Sequence, residues 1–417
     1  MPSRGASKKV SLIATNQLLM EACVFARNIL IARLMGAETL GQFVFLILSI
    51  RLFAMSTDLA AERYILQASQ DKIEAALGTV HFISRLRGAA LAFVLLLMGA
   101  HNVQGIEFAA YAALAVSSLI RGFTHKGYVL KQRSLNFRPA LYVEGLASVV
   151  GLVGMYCVVS VAPSLEAACA CLIAQSFLHT GLSHALSTDR YQSVCDAQEL
   201  QQIGRFGWPL LLSGVTMFWS MQGERLILSA MLPADAFAHF SMMFQLALVP
   251  ILVISRMALS YGLPVLSGLK HNMPGFDVRL AEFHRWTYVI GASFAFGFAL
   301  FANVVLQNLF GHDFRADFGL ILLVAVAQMI RLFRAPQSVA AQALGHTDIP
   351  FKANLVRVSF VLIAIAAIMN GGSLHTVLLL ACIGEGFAWA TQGLFFSIRT
   401  RNRLSPAEPQ LATQENA

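Results

Sequence analysis

Apolar residues come in long stretches along this chain, separated by short polar turns. A helix that crosses the hydrocarbon of a bilayer needs about 20 mostly apolar residues. Twelve runs approach that length, at residues 10–32, 40–60, 83–100, 106–122, 139–161, 165–184, 206–230, 236–258, 286–308, 318–344, 352–370 and 374–397. The pattern predicts an all-α integral membrane protein with about 12 transmembrane helices. Six runs precede the polar stretch from Ser187 to Gly207 and six follow it. The expected organisation is an N-terminal six-helix lobe over 1–186, a cytoplasmic linker over 187–207 and a C-terminal six-helix lobe over 208–398. A polar, disordered cytoplasmic tail over 399–417 completes it.

A faint internal repeat fits this division. Under a shift of 197 residues, Ala26–Phe43 lies on Gly223–Phe240. Only Ala37/Ala234 and Phe43/Phe240 are identical, but the residue classes correspond. A charged residue opens an aliphatic run, a small residue or Pro turns the chain, and an acid and an aromatic follow. Six helices per half gives both halves the same orientation, so the repeat is parallel. Two lobes with pseudo-two-fold symmetry about a central cavity are the expected consequence.

Composition agrees. The chain is 57% hydrophobic and 12% charged, with a mean hydropathy of +0.65, against about 25% charged in a soluble domain. A net charge of +8 would point to nucleic acid in a soluble protein. Here it reads as the cytoplasmic excess of Lys and Arg that orients membrane proteins, with no nucleic-acid partner. With the N-terminus inside, 23 of the 30 Lys and Arg fall on the cytoplasmic side and two, Arg33 and Arg315, on the outer side. The other five, Arg27, Arg51, Arg225, Arg331 and Arg334, lie within spans. Both termini are therefore expected in the cytoplasm. The basic start, MPSRGASKKV, runs into a segment carrying Glu21 and Arg27 and reads as an uncleaved first span. Five of the six cysteines lie in apolar runs and no Cys/His spacing resembles a zinc site, so neither a disulfide framework nor a metal is expected.

Charges inside a span are costly and mark functional sites. Arg51 and Arg331 are near mid-depth in spans two and ten, and Glu21 and Glu385 in spans one and twelve. Arg27 lies six residues beyond Glu21, about 9 Å further out. Glu224 and Arg225 sit at a similar outer depth in span seven. Helical spacing puts Ala327, Arg331, Arg334 and Ser338 on one face, and Pro336 should kink that helix. Arg51 and Asp58, at i and i+7, could instead form a structural ion pair, and Arg27 could snorkel outward. Glu144, one turn inside span five, and His179, His184 and His239 near span ends read as interfacial. Several arginines with few acids make a cationic cavity. Guanidinium groups grip phosphate bidentately, so the substrate should be an anion, with phosphate or pyrophosphate the natural candidate.

The turn Arg33-Leu-Met-Gly36-Ala-Glu38-Thr-Leu-Gly41-Gln-Phe43 resembles the opening of the polysaccharide-exporter branch of the multidrug/oligosaccharidyl-lipid/polysaccharide exporter superfamily. The second half echoes it in Phe206-Gly-Trp-Pro-Leu and in the run from Glu224 to Asp235. Two positions depart from the pattern, Glu224 where Asp is frequent and Ala238 where Gly is frequent. The resemblance implies a flippase for a glycan on undecaprenyl diphosphate in the bacterial inner membrane, serving O-antigen or exopolysaccharide synthesis. It implies the lipid bilayer and the glycan polymerase and ligase of the same pathway as partners, and no cofactor. A lipid II flippase of that superfamily is similar in carrying arginines on spans one, two and eight, which correspond by span and depth to Arg27, Arg51 and Arg256. On this reading Arg27, Arg51, Arg331, Arg334, Arg225 and Arg256 form the substrate site. Glu21, Asp58, Glu224 and Glu385 are the candidates for ion coupling. The alternatives are a multidrug or metabolite exporter of the same fold, which the excess of mid-span Arg argues against, and a membrane polymerase or ligase. The latter needs a sizeable outer loop, and no outer gap here exceeds about a dozen residues.

Overall fold

The computed structural model describes residues 4–404 except 135, with side chains described over 16–400 except 135. Among the described residues every regular element is helical. The helices are α1 (Arg4–Ser56), α2 (Ala61–Gln67), α3 (Ile73–Ala100), α4 (Phe108–Gly122), α5 (Gly127–Leu130), α6 (Arg138–Ala140), α7 (Ala147–Val159) and α8 (Leu165–Ala185). They continue with α9 (Ala197–Met231), α10 (Ala234–Gly268), α11 (Met273–Phe310), α12 (Phe318–Phe333), α13 (Ala335–Ala343), α14 (Asp348–Met369) and α15 (Leu374–Leu404). A π-helical stretch, Leu141–Leu146, joins α6 to α7.

Nine helical segments among the described residues are long and apolar enough to span a membrane. One of them, within α1, is two rods meeting at Gly36, whose φ of 84° only glycine adopts readily. Phe108–Gly122 is apolar but shorter. α9 is 35 residues long and is not among those nine. Each of the twelve expected runs therefore falls on helix. The repeat is visible in the breaks. Gly36 and Pro233 are 197 residues apart, and the chain breaks at Gly36 in α1 and at Pro233 between α9 and α10. Pro336 acts as expected, since α12 stops at Phe333 and α13 restarts with the proline in its first turn.

The outer faces suit hydrocarbon. On α11, Phe296, Leu300 and Val304 repeat every fourth residue and are 70%, 55% and 54% exposed. That stripe would be untenable in water, whereas lipid is as apolar as the side chains themselves.

The chain divides into two compact units. The first takes the described residues up to Phe218 together with Arg225–Met242 and Asn303–Arg315, and the second takes Trp219–Glu224, Met243–Ala302 and the described residues from Ala316 on. In the first unit, Ile65, Leu77, Val80, Ile83, Val143 and Ile203 form a core beneath Tyr128. α3 and α4 approach closely at Gly88 and Gly122, where a Cβ on Gly88 would lie 2.8 Å from the Ser118 carbonyl oxygen. The segment ahead of α9 is pinned rather than loose. His81 Nδ1 donates to the Gln192 carbonyl (2.7 Å), His125 Nε2 to that of Asp189 (2.9 Å), and Thr79 Oγ1 accepts from the Asp196 amide (3.1 Å). α9 begins at Ala197, inside the stretch read as a linker. In the second unit, Leu266, Phe276 and Leu280 pack on Val339, Ala340 and Leu344. α15 runs on to Leu404, so the first residues of the expected disordered tail are helical, and 405–417 lie outside the described residues. Arg4, Lys8, Lys9, Arg401 and Arg403, expected on the cytoplasmic side, likewise lie outside the described side chains.

The two repeat turns meet within the first unit. A Cβ on Gly41 would fall 1.8 Å from the Ala234 carbonyl oxygen, whereas one on Gly154 would meet nothing within 4 Å. Gly41→Ala is expected to cost about 3 kcal/mol through overpacking and to lower the unfolding temperature in detergent. Gly154→Ala should stay within about 0.5 kcal/mol of wild type, and equal melting of the two variants would contradict the close approach.

Candidate functional site

The second unit holds a buried charge cluster built on the α12–α13 break. Glu385 on α15 takes four guanidinium hydrogen bonds. Its Oε1 accepts from Arg331 Nη2 (2.6 Å), Arg331 Nε (2.9 Å) and Arg357 Nε (3.0 Å), and its Oε2 accepts from Arg334 Nη1 (3.0 Å). Arg357 on α14 also pairs with Glu224. Arg331 reaches the Ser220 carbonyl (3.1 Å) and Gln328 Oε1 (3.2 Å). Arg334 donates to Asn354 Oδ1 (2.7 Å) and, on a longer bond, to Gln392 Oε1 (3.4 Å). Gln392 returns a bond to the Arg334 carbonyl (3.0 Å) and another to Ser338 Oγ (2.9 Å). Glu385, Arg357 and Glu224 are at most 1% exposed. The Pro336 break makes this possible, because it leaves Arg334 between two helices where its side chain and its carbonyl both bond to α15.

Three arginines against two glutamates leave a net charge of +1, and every member is an ion-pair partner of another. An assembly of this kind resists removal of any one member, since the partners are left charged and desolvated. Sequence reasoning placed Arg331, Arg334, Glu224 and Glu385 in a site and missed Arg357, which it counted with Lys352 at the cytoplasmic edge. The structure puts Arg357 inside the span Asp348–Met369, 1% exposed. The readable signal was Asn354 and Arg357 at i and i+3 on an otherwise apolar helix.

The first unit holds a different group. The Arg27 guanidinium lies 5.0 Å over the Phe43 ring, a cation–π contact, and its buried Nε has no hydrogen-bond partner. The like charges of Arg51 and Arg121 act on it. Arg225 donates to Ser241 Oγ (3.0 Å) and also feels Arg51. Arg51 is exposed and has no ion pair among the described residues. Its proposed pairing with Asp58 is not what the fold makes. Asp58 pairs with Arg87 at 3.7 Å, and Arg87 also donates to the Ala54 carbonyl (2.8 Å) near the end of α1. Arg33 donates to the Asn308 and Leu309 carbonyls at the end of α11, a favourable place for a cation. Glu21 is half-buried on α1, and Arg256 in the second unit is exposed on α10. Four of the predicted residues therefore meet in a compensated cluster in the second unit, whereas in the first Arg51 acts as a like charge on both Arg27 and Arg225; Glu21, Asp58 and Arg256 join neither group.

Residues 30–317 match the model of the family described as polysaccharide biosynthesis protein. The chain belongs to that family. A search of curated protein sequences gives no match for this polysaccharide biosynthesis protein. Among solved structures, its fold is similar to that of the lipid II flippase MurJ in an inward closed conformation, with a TM-score of 0.73 at 13% identity over 93% of this chain and 87% of that one. It is similar to an inward-facing multidrug resistance MATE family transporter of the MOP superfamily, at 0.72 and 16% over 93% and 96%. A MOP superfamily transporter from Pyrococcus furiosus Vc1, whose binding pocket is described as having reverse polarity, gives 0.60 and 16% over 94% and 96%. These likenesses give the polysaccharide biosynthesis protein the multi-pass helical fold of that superfamily.

The two groups should separate on substitution. Glu385→Gln is expected to destabilise the protein by about 3–5 kcal/mol, and Arg357→Gln similarly, read as a fall in unfolding temperature in detergent. Arg51→Gln and Arg256→Gln, at exposed sites, should stay within about 0.5 kcal/mol. Equal stability across all four variants would mean the buried pairs are not made.

Proposed function

We propose that this protein is a flippase that carries a lipid-linked oligosaccharide, its glycan on undecaprenyl diphosphate, across the bacterial inner membrane by alternating access with both termini in the cytoplasm. Family membership and the shared fold with a lipid II flippase support the class. The observation that carries the substrate charge is Arg27 and Arg51, two intramembrane guanidinium groups that no carboxylate among the described residues pairs with. Such groups favour a doubly charged anion, because a diphosphate supplies the acceptors that the fold withholds. Arg225 extends the positive region. Arg331 and Arg334 spend their donors on Glu385, so their part is to hold the second unit together rather than to bind substrate first. Glycan polymerase and ligase of the same pathway would receive the product on the outer leaflet.

Deleting the gene in its native host should leave an undecaprenyl-linked glycan on the cytoplasmic leaflet, and wild type should restore its transfer. Arg27→Ala and Arg51→Ala should lower the rate by about 10- to 100-fold, the worth of a charge-assisted hydrogen bond, while the purified variants stay folded. Accumulation on the outer leaflet would point to a polymerase or ligase instead. No accumulation would favour an exporter of small molecules.

A further inference from the structure

A cavity of about 300 Å³ lies inside the first unit. Charged and polar groups ring it: Glu62 from α2, Arg121 from the end of α4, Lys126 just after it, Tyr128 from α5, Glu144 from the π-helical stretch and His179 from α8. A smaller cavity lined by Arg27 shares Ser148 and Gln175 with it.

Glu144 and Glu62 are held in opposite ways. Glu62 accepts from Lys126 Nζ at 2.7 Å, and the Lys126 charge holds its carboxyl below the usual carboxylate range. Glu144 has no cation within ion-pair distance among the described side chains. Its partners are neutral, Asn16 Nδ2 to Oε2 at 3.2 Å and Tyr128 OH to Oε1 at 3.4 Å. Arg121 gives its Nε to Ser176 Oγ (3.2 Å), and the negative charge of Glu62 offsets the pull of Arg121 and Lys126 on this carboxylate. Asn16 Oδ1 and His179 Nδ1 are buried with no hydrogen-bond partner.

An amide and a hydroxyl serve either form of a carboxyl. To the carboxylate both donate. To the acid, Asn16 can rotate and accept the new O–H on the oxygen now left without a donor, and Tyr128 can accept in its turn. Gly145 keeps room for that amide, since a Cβ there would lie 2.7 Å from Asn16 Oδ1. Glu385 has the opposite surroundings: guanidinium groups only donate, so none of its partners could accept from an acid, and neutralising it would leave Arg331 and Arg334 without their ion pair. π-helical turns are rare and occur often at functional sites, and this one places Glu144 beside the cavity.

We propose that Glu144 is the proton-exchanging carboxyl of this protein, taking its proton from water in the unit's own cavity and returning it there. That the exchange drives transport rests on the flippase reading; the proton site itself does not. The carboxylate gains one proton from hydronium and releases water, and no other bond changes.

The test is infrared spectroscopy of the purified full-length protein in lipid vesicles, stepped in pH through the neutral range with no glycan added. Wild type should show a protonated-carboxyl stretch that fades as pH rises. The band should vanish in Glu144→Gln and persist in Glu62→Gln. Tyr128→Phe, which removes one donor to the carboxylate, should raise the midpoint by about half to one pH unit. A band that survives in Glu144→Gln, or an unmoved midpoint in Tyr128→Phe, overturns the proposal. Because no substrate enters the measurement, the flippase reading and this one can fail separately.

Discussion

The second unit depends on one carboxylate. Glu385 is fully buried and offers two oxygens to three guanidinium groups. Those groups come from α12, from the break before α13 and from α14, so a single side chain on α15 ties these elements together. In hydrocarbon this matters more than in water. Lipid gives apolar helices no reason to prefer one another, so packing and polar contacts carry the specificity that hydrophobic burial supplies in a soluble core. The close approach at Gly384, where a Cβ would meet that of Phe360 at 2.7 Å, brings α14 and α15 near enough for Arg357 to reach its partners.

The same chemistry used without compensation produces a different result in the first unit. Arg27 has an aromatic face and no carboxylate partner among the described residues; Arg51 is open. A fold that leaves guanidinium groups unpaired within a span accepts a cost. Arginines at similar depths are therefore not equivalent. What separates them is the presence of a glutamate within reach.

Carboxyls sort by the same criterion. Glu224, Glu385 and Glu62 are each matched to a cation. Glu144 is matched to groups that can donate or accept. Proton exchange asks for a site that is tolerable in both states, and neutral two-way partners supply that where fixed donors do not.

Much was legible in the chain itself. The apolar runs fixed the class and the places where long helices fall, because a bilayer imposes one length on every spanning helix. Pro336 announced the break at Arg334, and the shift of 197 residues aligned Gly36 with Pro233, where the structure breaks both times. These are local backbone effects, and local sequence carries them. Arg331, Arg334, Glu224 and Glu385 were recognisable as charges too deep to be idle. What the tertiary structure alone decided was pairing: Asp58 with Arg87 rather than Arg51, Arg357 inside a span rather than at its edge, Glu144 and His179 around one cavity. Pairing joins residues from helices far apart in the chain, and the helical period says which face a charge occupies but not which other helix that face will meet.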